Sequence, residues 1–526
     1  MSRQISIPEF YSGKCVFITG GTGFIGKMIV EKLLRSCPEV DTIYLLARAK
    51  KNKTASERVQ EITDSKLFDV IRAKNPEAFK KISLIEGDIS NENLGLSQSN
   101  QELLCEKINV IIHSAATISF TEPIKVAVAT NLQSVKELMN LARKVKKLDS
   151  FVHVSTAYTN WFEKDVKEIF YKPNYDPNKV IEMCKTLSDE EVEKMIPSLG
   201  KHNNTYTFSK SLAEYLMSQE GIDLPLTIVR PSMVISSLNE PFPGWIDNWA
   251  GPSPFLVMTA KGLFRHPHMR RDVKLDVIPS DLTVNMVLAA GWKIGTDPNA
   301  RNSVPEIYNC TTSFNNPILC KDLFQGFVDI GKKYPYSDTI WYPKIKFYHS
   351  ALASQFFSFA YQKIPAYFVD FLMKLAGKKP KLIKTLNFAY TNYNSVKWVP
   401  TNNLVFHSQN PQKILNVMNP KDLQDFDFDV RKINWQKYIE IYHFGLRKHL
   451  ANEKSENWPA LRMKVQRLKY IHYIVTGSMI AGSLFLLYKS RNLISNKKDE
   501  NQGQGFQQKR LPSFNVIINR EKSLNK

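Results

Sequence analysis

Tyr206 and Lys210 stand four residues apart in Asn204-Thr205-Tyr206-Thr207-Phe208-Ser209-Lys210, at the start of a predicted helical run. Four residues make about one helical turn, so both side chains project from one face. A free tyrosine titrates near pH ~10 and exchanges protons poorly at neutral pH. A lysine ammonium beside it stabilises the phenolate and brings its pKa toward the working range. A lone Tyr-x-x-x-Lys recurs often by chance. This one follows Phe151-Val152-His153-Val154-Ser155-Thr156-Ala157-Tyr158, a predicted strand ending in hydroxyls. Ser155 or Thr156 can hold a substrate oxygen against the tyrosine, and hydride transfer to a carbonyl is the chemistry such a group performs.

A hydride needs a donor, and the N-terminal stretch supplies a place for one. Val16-Phe17-Ile18-Thr19 reads as a buried parallel strand. Gly20, Gly23 and Gly26 follow at G-x-x-G-x-x-G spacing, then a helical pattern through Met28, Ile29, Leu33 and Leu34. Glycines let the chain turn sharply, approach a pyrophosphate and pack the helix on the strand, and the helix N-terminus then holds phosphate. A second strand, Thr42 to Arg48, places its end against the adenine ribose, where an acidic residue selects NAD and a base accommodates the 2′-phosphate of NADP. Arg48, followed by Lys50 and Lys51, favours NADPH.

The remaining strands complete the frame. Ile82 to Ile89 ends in Gly87-Asp88-Ile89, where Asp88 can accept from the adenine amino group. Val110 to Ala116 ends in Ser114, Ala115 and Ala116, small enough for a cofactor to lie over the sheet edge. Asn131 opens the next helix, and Pro225 to Val234 breaks at Pro231, with its far edge beside the nicotinamide. Strands alternating with helices predict an α/β, doubly wound parallel sheet of Rossmann type. The rigid, aromatic Glu240-Pro241-Phe242-Pro243-Gly244-Trp245-Ile246-Asp247-Asn248 suits a substrate-pocket loop and a structural loop equally.

Composition bounds the rest. A chain of 526 residues is too long for one ordinary core. Six scattered cysteines, with no C-x-x-C and no metal-like cluster, suit a reducing compartment, and no metal is expected. Residues 1–15 are polar and show no secretory signal. The net charge of +21 is spread along the chain rather than gathered on a nucleic-acid module, so an anionic membrane face or polyphosphate ligands are the expected partners and nucleic acid is not.

Taken together, T-G-G-T-G-F-I-G (19–26), G-D-I (87–89), H-S-A-A-T (113–117), V-H-V-S-T-A-Y (152–158), Y-T-F-S-K (206–210), V-R-P-S (229–232) and the 240–248 loop make the chain resemble the fatty acyl-CoA reductases. These are a branch of the extended short-chain dehydrogenases/reductases. The resemblance covers roughly residues 10–450, including Phe428-Asp429-Val430-Arg431-Lys432-Ile433-Asn434-Trp435, Tyr438 and Tyr442. It implies NADPH-dependent reduction of a long-chain acyl-CoA to a primary alcohol, with release of CoA through a hemithioacetal and an aldehyde. The alcohol would feed wax ester, ether lipid or related synthesis. Tyr206 would be the proton donor, Lys210 its modulator and a ribose ligand, and Thr156 or Ser155 the carbonyl holder. Cofactor contacts are expected from Thr19, Gly20, Gly21, Thr22, Gly23, Phe24, Ile25, Gly26, Arg48, Asp88, Ile89, Ser114, Ala115, Ala116, Asn131, Lys210, Pro231 and Met233. Ser134, Ser280 and Asn434 depart from the family pattern without touching this chemistry. A sterol or nucleotide-sugar dehydrogenase, and a dinucleotide sensor without turnover, are the competing readings.

The expected organisation is a catalytic domain over 10–345, a helical C-terminal domain over 346–460, a membrane-anchor segment over 461–491 and a disordered basic tail over 492–526. Residues 351–377 are apolar but interrupted by Lys363, Pro365 and Asp370, better suited to an interfacial or tunnel helix than to a span. Tyr470 to Tyr488 carries no charge, and at about 1.5 Å per residue it just covers about 30 Å of hydrocarbon. It predicts a single-pass anchor holding the catalytic part in the cytosol, on a peroxisomal or endoplasmic reticulum membrane. A homodimer is left open.

Overall fold

Seven short strands carry the site in the computed structural model, which describes residues 5–507 except 51, 197 and 198. They are β1 (Val16–Thr19), β2 (Ile43–Ala47), β3 (Ile82–Glu86), β4 (Val110–His113), β5 (Ser150–Val154), β6 (Leu226–Pro231) and β7 (Glu306–Cys310). All pair in parallel, in the order β7-β6-β5-β4-β1-β2-β3. The order reverses between β1 and β4, and ligands of such sheets bind outside the strand ends at that switch. Side chains alternate across the sheet: Val16 and Ile18 enter one core, and Phe17 enters the other. Both faces are covered, which is why the strands read as continuous apolar runs.

Helix α1 (Phe24–Ser36) lies on the first face; α2 (Ser134–Lys144) and α3 (Thr205–Glu220) lie on the second; α4 (Ser280–Gly295) returns to the first. Ser134 spends its hydroxyl on the Thr130 carbonyl at 2.6 Å, as the helix leaves a π turn.

The C-terminal helices are α5 (Ala351–Ser358), α6 (Ile364–Leu375), α7 (Leu382–Val396), α8 (Trp435–Gly445) and α9 (Trp458–Gln507). Residues up to Val465 form one compact unit. The reason is packing: Ile414, Phe426, Tyr438 and Tyr442 join the same apolar core as β1. Asn434 caps α8 by accepting from the Lys437 amide at 3.1 Å.

The 238–247 loop is a staple. Asp281 accepts from the amides of Leu238, Asn239 and Glu240, and Glu240 accepts from Lys32 at 2.6 Å and Arg35 at 3.3 Å on α1. Gly244, at φ +80°, meets Gly445 of α8 so closely that a Cβ on Gly445 would lie 1.9 Å from the Gly244 oxygen. Of the two readings the sequence allowed, the structural one describes this geometry.

The second unit begins at Gln466. Trp458–Asn492 is the one helix among the described residues long and apolar enough to cross a membrane, and Ile474, Leu484, Leu486 and Leu487 on it are exposed. The helix continues to Gln507, so the disordered tail expected from 492 is helical over its first part; 508–526 lies outside the described residues.

Candidate active site

The glycine loop turns where a side chain is forbidden. Gly20 has φ +74°, and a Cβ there would lie 2.6 Å from the Ala115 amide nitrogen; a Cβ on Gly26 would lie 2.1 Å from the Gly20 oxygen. Gly23 caps α1 and donates to the Gly20 carbonyl at 2.8 Å, leaving the first amides of α1 toward the cleft. A cavity of about 950 Å³ opens here, lined by Gly20, Thr22, Gly23, Arg48, Asp88, Ile89, Ser114, Ala115 and Ala116 among others. Its positive turn, bare backbone and helix end fit a dinucleotide's pyrophosphate.

Other expected contacts lie outside the lining of this cavity, as Thr156, Tyr206 and Lys210 do. Thr19 is fully buried and its hydroxyl pairs with His113 Nδ1 at 2.6 Å. Gly21 and Gly26 serve close packing, against Leu45 and the Gly20 backbone respectively. Phe24 stacks on Trp245, with ring centroids 5.4 Å apart. Asn131 braces the loop after β4: its Oδ1 accepts from the Thr117 amide at 2.9 Å, and its Nδ2 donates to the Thr117 carbonyl and Ser209. Ile25, Pro231 and Met233 do not line the cavity; Pro231 is buried, and Met233 is partly buried against the apolar core.

Where the cavity meets the ends of β2 and β3, Arg48 pairs with Asp88, whose other oxygen accepts from Ser90. Burial opposes ionisation of Asp88, but the bonds from Ser90 and Arg48 outweigh it and hold its pKa below the usual value. A second guanidinium lines the same cavity. Arg58 donates to the Thr22 hydroxyl and to the Arg48 carbonyl, each at 2.7 Å. Sequence reasoning passed over Arg58 because it lies in a charged helical stretch with nothing local to mark which way it faces.

Thr156, Tyr206 and Lys210 gather at the end of β5. Asn204 caps α3 by accepting from the Thr207 amide at 2.8 Å, and Thr205 pins the helix start to the Glu122 carbonyl. Tyr206 therefore occupies the first turn, where the helix dipole favours a phenolate. Burial nonetheless pushes Tyr206 up to about 12, opposed by a hydrogen bond with Thr156. The Lys210 ammonium donates to the Val154 carbonyl at 2.9 Å, which ties it to the end of β5. Burial brings Lys210 itself down to about 8, opposed by the Glu214 carboxylate.

The two hydroxyls divide their work. Thr156 meets Tyr206, whereas Ser155 donates to Glu214 Oε1 at 2.5 Å and is committed to a buried brace. That brace is a bidentate pair: Arg230 donates from Nε at 2.9 Å and from Nη2 at 2.6 Å to Glu214, and also bonds the carbonyls of Lys167 and Ile169. Glu214 continues the four-residue spacing of Tyr206 and Lys210, a signal legible in the sequence.

Two family models, both described as male sterility protein, match residues 18–287, as an NAD-binding region, and 361–453. Fatty acyl-CoA reductase 1 of Rattus norvegicus is 38% identical over 471 residues, 89% of this chain and 91% of that protein. Fatty acyl-CoA reductase 2 of Bos taurus is 32% identical over 474 residues, 90% and 92% of the two chains. Among solved structures, the reductase domain of a nonribosomal peptide synthetase from Mycobacterium tuberculosis aligns with TM-score 0.55 and 18% identity over 85% of this chain and 93% of that one. The terminal R domain of the myxalamid pathway aligns at 0.53 and 16%, over 84% and 92%. These last two show the fold. The nicotinamide-binding reductase site and the similarity across nine-tenths of the chain converge, and the protein belongs to the fatty acyl-CoA reductase family.

Proposed function

We propose that this chain reduces a long-chain fatty acyl-CoA to the primary alcohol, with NADPH as reductant and release of CoA. The observation that carries the reading is the Thr156–Tyr206–Lys210 group at the end of β5 in the same sheet as the glycine-loop cavity. Two guanidinium groups at the adenine end, Arg48 and Arg58, support NADPH over NADH, because Arg pairs well with a 2′-phosphate.

When bound, the nicotinamide supplies a hydride to the carbonyl carbon. Thr156 and Tyr206 hold the carbonyl oxygen. With its pKa held at about 12, Tyr206 keeps its proton at neutral pH and delivers it to that oxygen as negative charge develops. The Lys210 ammonium, largely protonated below about 8, stabilises the phenolate left behind. The thioester thus becomes a hemithioacetal. Its C–S bond then breaks, CoA leaves as the thiol with the hydroxyl proton, and an aldehyde remains. A second round on the aldehyde gives the alcohol. The C-terminal helix is the single-pass anchor, with the catalytic unit cytosolic on a peroxisomal or endoplasmic reticulum membrane.

Detergent-solubilised protein given NADPH and acyl-CoA of C12 to C24 is expected to yield free CoA and fatty alcohol. Absence of NADPH oxidation across that range contradicts the reading.

A further inference from the structure

Helix α5 and the π turn Phe359–Lys363 that carries it into α6 are inside-out. Ser354, Ser358 and Gln362 are turned inward and buried. Ser354 donates to the His266 carbonyl at 2.7 Å, and Gln362 donates to the Leu263 carbonyl and accepts from Tyr390 at 3.2 Å. The opposite stripe carries Leu352, Phe356, Phe359, Phe368, Phe371 and Leu375, each more than half exposed, with Leu352 at 78%. Water-soluble helices pack the other way, apolar face in. A contiguous apolar face of this size marks a surface made for another phase or partner.

The turn that follows is basic. Between 351 and 396 the chain holds six lysines and one acidic residue, Asp370. Asp370 is consumed as a clamp: its carboxylate accepts from the amides of Lys381, Leu382 and Ile383 at 3.2, 3.0 and 2.9 Å, folding α6 and α7 into a hairpin. Its tip, Gly377 to Lys381, exposes Lys378, Lys379 and Lys381, with Lys374 and Lys384 exposed on the flanking turns.

We infer that the α5–α6–α7 hairpin embeds its aromatic stripe in one leaflet of an anionic phospholipid bilayer, with the lysine tip at the headgroups. Aromatic residues on one side and lysines at the rim are what an interfacial, non-spanning element presents. Helix α5, the π turn after it and α6 run on from Ala351 to Leu375, but Ser354, Gln362 and Ala366 are buried against the protein, so the helix lies along a leaflet and does not cross it. Charge argues against a second copy of this chain as the occupant, since two lysine tips repel each other. The hairpin belongs to the compact unit that holds the active site, so this membrane contact is additional to the C-terminal helix and does not depend on the reaction assigned above.

The test uses the full chain reconstituted in phosphatidylcholine vesicles with and without phosphatidylserine. A polarity-sensitive fluorophore is placed at Phe371→Cys, with Glu102→Cys as the water-facing control and the unsubstituted chain as the labelling background. The Phe371 probe is expected to be quenched by nitroxide-bearing lipids and shielded from aqueous iodide, while the Glu102 probe shows the reverse. Lys378→Glu with Lys379→Glu and Lys381→Glu is expected to cut lipid quenching several-fold in phosphatidylserine vesicles, while a probe at Leu484→Cys stays quenched. A Phe371 probe open to iodide overturns the inference. So does one shielded from iodide yet out of reach of lipid nitroxides, which would mean a protein covers the stripe. Quenching indifferent to both phosphatidylserine and the lysine reversal contradicts the anionic leaflet.

Discussion

In the proposed reaction Tyr206 is the proton donor, held loaded by burial, and its partners divide the remaining work. Tyr206→Phe is expected to lower kcat/KM by about 10²- to 10⁴-fold, the usual contribution of a positioned acid, with NADPH affinity changed only a few-fold; an active Phe variant removes Tyr206 from the role. Lys210 sets the alkaline limit. Burial depresses its pKa to about 8, so the charged form is present below that pH and lost above it, and kcat/KM falls as pH rises through about 8. Lys210→Arg moves that limb upward; an unshifted limb contradicts the assignment. Arg48→Ala and Arg58→Ala are each expected to raise KM for NADPH by about 10- to 100-fold, the range of a lost charged hydrogen bond, with little effect on NADH. Equal losses for both cofactors contradict a 2′-phosphate contact. The candidacy of Tyr206, Lys210 and Thr156 was legible from residue type and spacing. The choice between Ser155 and Thr156 was not, because neighbouring hydroxyls leave a strand end in opposite directions and only the fold says which meets the phenol. Arg58 was hidden for a similar reason: its facing is set by where its helix docks.

Among the elements, α3 matters most, and Glu214–Arg230 is what fixes it against β6. Both side chains are buried, and removing one leaves the other charged and unpaired. Glu214→Gln or Arg230→Met is expected to cost about 3–5 kcal/mol in unfolding free energy, read by denaturant titration in detergent. The double variant Glu214→Leu with Arg230→Met recovers part of that loss; an unchanged midpoint for Glu214→Gln refutes the brace. Strands β1 to β6 could be read from apolar runs closed by glycine, serine, proline or, at β2, Arg48. Strand β7 could not, because Glu306-Ile307-Tyr308-Asn309-Cys310 mixes polar and apolar residues at the sheet's edge. The 240–248 loop looked equally like a pocket wall, and the bracing at its start appears only in the bonds of Leu238 to Asp281 and of Glu240 to Lys32 and Arg35.

On the scale of the whole molecule, the C-terminal segment from 410 to 445 completes the core begun at β1. Local pattern showed helices there, but only tertiary packing reveals which core they fill. Two features then address lipid, the apolar C-terminal helix and the inside-out hairpin, and both suit an enzyme whose substrate and product are amphiphiles. One site performing two successive reductions is the central claim, and stoichiometry tests it most directly. With palmitoyl-CoA in limiting amount, NADPH consumed and CoA released are measured in the same reaction. The account predicts two NADPH oxidised per CoA, with hexadecanol as the product. One NADPH per CoA, with hexadecanal accumulating, would contradict it.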